Sequence, residues 1–190
     1  MEVVVLSFDT VHALTDCLLQ TDQDTPPDGA DRLGHLLLAQ DRPFGPNRWD
    51  IREARILRLP LTCGTASHPT LPAALDHLAD TLTAEHTPPH GPLHEHDLQR
   101  LRDTLAEPLP ALRLIAWAVL YDDIAIHADH LTPVRRVDAV DVDGRVYQLH
   151  RRHTEQRPVV LIDEHPGSPL TATQPALARL VTAASGASRS

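Results

Sequence analysis

The chain has 190 residues, a mass of 20.9 kDa and a formal net charge of -9, the size of one domain with short appendages. Its 42% hydrophobic share supplies a core, and no apolar run approaches the roughly 20 residues of a membrane span. All 17 basic residues are arginine, which excludes a P-loop nucleotide site, Schiff-base chemistry and the strand lysine of protein kinases, since each needs a lysine amine.

Along the chain, Val3 to Phe8 is a β-branched, apolar run that predicts a buried strand. Asp9 or Thr10 then caps a helix over about 10–22, with Val11, Leu14, Cys17 and Leu18 on its apolar face. Residues 25–29 form a loop, 31–40 a short helix through Leu33, Leu36 and Leu37, and 42–47 another loop. A strand is expected at 54–62, with Leu57, Leu59 and Leu61 on one face and Pro60 marking an edge or an end. Leu71, Ala74, Leu75, Leu78 and Leu82 make 70–85 an amphipathic helix. The proline- and histidine-rich segment 86–96 is a loop, and a helix begins at Asp97 and stops near Pro108. Ala111 to Tyr121 is apolar nearly throughout, and its length and its alanine and leucine content favour helix over central strand.

The C-terminal third reads as strands. Val137–Val142 and Arg145–Arg151 flank Asp143-Gly144 as a hairpin with a two-residue turn, with Val140, Val142, Tyr147 and Leu149 on one face. Residues 158–162 add a third strand, so 134–163 is a meander. A last helix covers 173–184, and a flexible tail runs from 184 to 190. The expected architecture is one α+β domain over 1–183. Its sheet is mixed and includes the C-terminal antiparallel meander, and helices pack mainly on one side.

Several residue groups carry chemistry in principle. His86, His90, His94 and His96 lie within one loop, and imidazoles are zinc ligands, but the spacing fits no established zinc motif. If helix continues past Tyr121, Asp123, His127 and His130 share a face at i, i+4 and i+7 and offer a metal or acid–base set. Acidic and basic blocks alternate: residues 1–31 hold no base, whereas Arg48, Arg52 and Arg55 and then Arg135 and Arg136 make local arginine patches. Net acidity disfavours a general nucleic-acid coat, which needs a concentrated positive field. The arginine patches leave local contact with nucleic acid or with a partner protein open. Cys17 reads as a small core residue, and Cys63 has no cationic neighbour to make it reactive.

The start Val-Val-Val-Leu-Ser-Phe-Asp9-Thr10 resembles the opening of PIN-type nucleases. That resemblance covers about a dozen residues. It implies that Asp9 would ligate a divalent ion, with Asp122 or Asp123 as a later acid. The same stretch resembles the first motif of haloacid-dehalogenase-like phosphatases, but Val11 stands where they carry a second aspartate. Val159–Ile162 followed by Asp163 and Glu164 resembles a Walker B strand, without the lysine loop that completes an ATPase.

The expectation is a non-catalytic cytoplasmic binding or accessory protein that has no cofactor or membrane contact and acts on another protein. The two cysteines make no disulfide framework, and Met1-Glu2-Val3 carries no basic segment of a secretory signal, which suits a reducing compartment. The alternative is a metal-dependent hydrolase or nuclease using Asp9, Asp123, Asp163 and Glu164 on Mg²⁺ or Mn²⁺, with zinc on the histidines as a lesser variant.

Overall fold

The computed structural model describes residues 6–25, 32–43, 52–62, 70–84, 91–107, 112–127, 130–152 and 154–187. In chain order the elements are α1 (Phe8–Asp24), β1 (Arg32–Pro43), β2 (Arg52–Thr62), α2 (Leu71–Thr83), α3 (Glu95–Leu105), β3 (Arg113–His127), β4 (His130–Asp141), β5 (Val146–Arg152), β6 (Val159–Asp163) and α4 (Thr173–Ala187). The strands form one open sheet in the order β2-β1-β3-β4-β5-β6. The α+β class stands, and among the described residues every strand pairing is antiparallel where a mixed sheet was expected. The expected meander is present as β4–β5–β6 and extends back to β3.

Two apolar layers sandwich the sheet. On one face, Leu75 and Leu78 of α2, Leu98 and Leu101 of α3, and Leu177 and Leu180 of α4 pack with Leu36, Leu38, Leu57, Leu59, Leu61, Trp117 and Val119. On the other face, Leu14 and Leu18 of α1 pack with Leu37, Ala39, Ile115, Ala118, Val137, Tyr147 and Leu149. Among the described residues three helices share one face, and α1 covers the other.

This sandwich explains the two segments read as helix that are strands. The stretch 31–40 is β1, and 111–121 lies largely within β3. A strand covered on both faces needs apolar residues on both, so its sequence loses alternation and reads as a continuous run. In β1, Leu36 and Leu38 face the three-helix side while Leu37 and Ala39 face α1. In β3, Trp117 and Val119 divide from Ala116, Ala118 and Leu120 in the same way.

Residues 1–5, with the first half of the expected strand, lie outside the described residues, and Phe8 opens α1, 75% exposed. The cap of α1 is neither Asp9 nor Thr10 but Ser7, whose hydroxyl accepts from the Thr10 amide. The strand at 54–62 is β2 at the sheet edge, as Pro60 suggested. The helices at 70–85 and from Asp97 are α2 and α3. The helix α4 runs to Ala187 and buries Ala184, so the flexible tail does not begin at 184.

The hairpin turn is longer than two residues. Val140 pairs with Val146, the Asp141 amide donates to the Arg145 carbonyl, and Gly144 sits at φ 86°. That is the pattern of a turn closed by a left-handed glycine bulge. The Asp141 carboxylate builds it, accepting from the amides of Asp143 and Arg145, from the Arg145 guanidinium and from the Tyr147 hydroxyl. The bulge moves Val140 to the three-helix face, while Val142, Tyr147 and Leu149 face α1.

Candidate interaction surface

The carboxylates proposed for a shared ion are dispersed. Asp9 is exposed in the first turn of α1, over the α1 face. Asp163 pairs with Val146, which packs on the three-helix face, so its side chain points to the opposite side. Asp123 pairs with Val134, whereas Asp163 lies level with Val146, Val140 and Trp117. Six residues of β3 therefore separate the two levels, about 20 Å along the strands, and three strand spacings add ~14 Å across them. Ligands of one ion need to approach within about 4–6 Å. Asp123 instead holds the Arg136 guanidinium at 2.7 Å, and the Asp163 carboxylate accepts from the His165 amide at 3.0 Å. Glu164 is exposed beyond the end of β6. Among the described residues no group of three or more His, Cys, Asp or Glu is placed to hold a metal ion.

His86 and His90 lie outside the described residues. His94 caps α3, and its ring stacks at 6.1 Å on that of His96, which contacts Asp97 at 3.2 Å. The helical spacing expected for Asp123, His127 and His130 does not form, because the segment is strand: His127 ends β3 and pairs with His130 at the start of β4. Cys63 is also outside the described residues. Burial, with Asp16 and Glu53 nearby, pushes the Cys17 thiol up, the reverse of what a reactive thiolate needs.

The described arginines of the expected patches each hold an acidic side chain of this chain. Arg48 is outside the described residues. Arg52 binds the Asp41 carboxylate at 2.8 Å, and Arg55 pairs with Glu53. Arg135 and Arg136 lie on β4, separated from β2 by β1 and β3, and point to opposite faces. Arg135 is buried; it contacts Asp122 at 3.1 Å and donates to the Thr25 carbonyl at the end of α1. Arg58 donates to the Thr25 hydroxyl, and Arg151 clasps buried Asp22. Three arginines from β2, β4 and β5 thus receive the C-terminal end of α1, where the helix dipole is negative. They fix α1 to the sheet.

Among the described residues the strongest unpartnered feature is β6. Val159, Val160, Leu161 and Ile162 are consecutive, and all four are exposed, at 55%, 38%, 47% and 39%. They are the last strand of the sheet. Val160 pairs with Leu149 and Ile162 with Tyr147, which belong to the α1 face; Val159 and Leu161 pair with His150 and Gln148 on the other. The α1-side apolar layer therefore continues through Tyr147 and Leu149 onto Ile162 and Val160, whereas Val159 and Leu161 stand beside polar His150 and Gln148; the helices pack elsewhere, α4 over β3 and β4 and α1 most closely against β2. Leu170, just past β6, is also exposed.

The opposite edge is guarded. The edge strand β2 carries Arg52, Arg55, Arg58 and Pro60, and its Thr62 amide donates to the Pro92 carbonyl at 2.9 Å. Charge, proline and covering chain are the usual means of keeping an edge from pairing with another strand. Between its ends β6 carries none of these. The sequence reading found β6 and its trailing acids but not its exposure. The available signal was the meander itself, which makes its last strand an edge.

No helix among the described residues is long and apolar enough to cross a membrane. Comparison with protein-family models, with curated proteins and with solved structures gives no match.

Proposed function

We propose that this chain is a non-catalytic cytoplasmic binding protein that acts through protein–protein interaction, with β6 as its contact strand. One observation carries the reading: an unguarded edge strand presents four consecutive aliphatic side chains to solvent while the other edge is blunted by arginine and proline. An exposed edge offers main-chain amides and carbonyls to an extended segment, and the alternating side chains on its two faces give selectivity. The dispersal of the acids and the pairing of the candidate arginines with acids of this chain favour β6 over the other candidate surfaces among the described residues.

The test is site-specific photo-cross-linking in cells. A photoreactive phenylalanine analogue replaces Leu161 in one variant and Arg55, on the opposite edge, in another. Cross-links to a polypeptide, whether another protein or the chain itself, are expected from position 161 and not from 55. Absence of cross-links at 161, or equal yields at both positions, would overturn the reading.

A further inference from the structure

We infer that the polypeptide seated on β6 is a second copy of this chain, joined by antiparallel β6–β6 pairing into one continuous twelve-stranded sheet (six strands from each copy). This inference rests on the reading of β6 as a contact strand and names its occupant.

The symmetry restricts the register. Two edge strands that pair antiparallel through a two-fold axis need that axis normal to the sheet. The α1 face of one copy then lies beside the α1 face of the other. Paired residues face the same side of an antiparallel sheet, so even-numbered residues of β6 must meet even-numbered ones, and odd must meet odd.

Charge selects among the registers that remain. With Val160 opposite Val160 of the second copy, Val159 meets Leu161, Ile162 comes opposite Pro158, and Asp163 at the strand end comes beside Arg157 in the turn before β6. Each contact off the axis occurs twice, so the apolar contacts are flanked on both sides by a carboxylate beside a guanidinium. Sliding by two residues one way sets Asp163 against Glu155, and sliding the other way sets it against Val159 and leaves Arg157 against His165. Only the Val160-centred register sets each end charge against its opposite and aliphatic side chains against one another. It also extends the α1-side apolar layer from one copy into the next and covers Val159 and Leu161 on the other face against each other.

A five-residue strand is about 17 Å long. That is a small contact beside the standard interface of about 1,600 Å², so the dimer is expected to be reversible.

Analytical ultracentrifugation of the purified chain tests this over about 1–300 µM, the range that brackets a weak reversible dimer. The mass should rise from 20.9 kDa toward twice that value. Val160→Lys sets like charges face to face at the axis and should weaken association at least tenfold. Arg157→Asp should weaken it, and adding Asp163→Arg should restore it. In a background with Cys17 and Cys63 replaced by serine, Val160→Cys should oxidise to a covalent dimer and Leu161→Cys should not, because only the on-axis pair comes within disulfide reach. Arg157, Val160 and Leu161 are exposed and Asp163 is half-buried, and circular dichroism checks that each variant folds. A chain that stays monomeric throughout, or a dimer indifferent to Val160→Lys, overturns self-pairing. If the monomeric chain still cross-links another protein through position 161, the contact-strand reading survives without it; if position 161 captures nothing, both fall.

Discussion

The two tyrosines show how single residues tie the sheet to its surroundings. Tyr147 donates to buried Asp141 at 2.8 Å, and Tyr121 donates to buried Asp138 at 2.9 Å. The Asp138 carboxylate also accepts from Thr173 at the start of α4. Burial comes first, and the neighbouring carboxylate second, in raising both phenols above their ordinary value. Ionisation would place a phenolate against a carboxylate in a dry site. In the unfolded chain both titrate near pH 10. Below that pH the two states hold the same phenolic protons. Above it the unfolded chain releases protons that the folded chain retains, so stability falls as pH rises. Because these are the only tyrosines, the ultraviolet tyrosinate band reads both sites without background. It should stay flat through pH 10 while the protein is folded and rise together with unfolding. Thermal denaturation of Tyr147→Phe should lose part of the decline seen for the unaltered chain above pH 10. A tyrosinate band that grows near pH 10 with the fold intact would contradict the buried pairs.

At the scale of elements, Gly34 marks a close approach at the seam of β1 and β3. Gly34 has φ 130°, next to a register shift in the β1–β2 ladder. A Cβ there would lie 2.3 Å from the Leu120 carbonyl oxygen, a backbone atom of central β3. Gly144 also has positive φ, but a Cβ would meet nothing within 4 Å. Gly34→Ala combines a forbidden backbone conformation with a collision that neither strand can relieve, and should cost at least about 3 kcal/mol. Gly144→Ala carries strain alone, about 1 kcal/mol. Chemical denaturation of both variants checks the difference, and equal losses would mean that the β1–β3 contact is looser than described. The same seam is where sequence reading failed. The surface helices α2 and α3 were legible because one face is wet and the polar residues keep the helical period. The β4–β5 hairpin was legible through Asp143-Gly144. In β1 and β3 both faces are dry, so Leu36 to Ala39 and Ile115 to Leu120 keep no period to read. Asp163 and Glu164 drew attention as chemistry, whereas the aliphatic run before them is what the fold leaves unpaired.

For the molecule as a whole, chain order and spatial order agree on one side of the sheet and part on the other. Each of β3, β4 and β5 lies next to its successor, so this half assembles through short loops. The β1–β2 hairpin is also local. Joining the two halves is not: residue 35 pairs with residue 120, across α2 and α3. Closing so long a loop loses chain entropy before any contact compensates, so non-local pairing tends to form late. The meander should therefore be largely built in the folding transition state, with the β1–β3 seam closing afterwards. Val137 of β4 and Leu37 of β1 provide the comparison, since both are buried under α1 in the same apolar layer. Truncating either to alanine removes core contact and destabilises the fold. Val137→Ala should act mainly by slowing folding, whereas Leu37→Ala should act mainly by speeding unfolding. Stopped-flow refolding and unfolding across a denaturant series separates the two. If Leu37→Ala slows folding by as large a share of its stability loss as Val137→Ala does, the seam is already closed at the barrier, and the two halves fold as one unit.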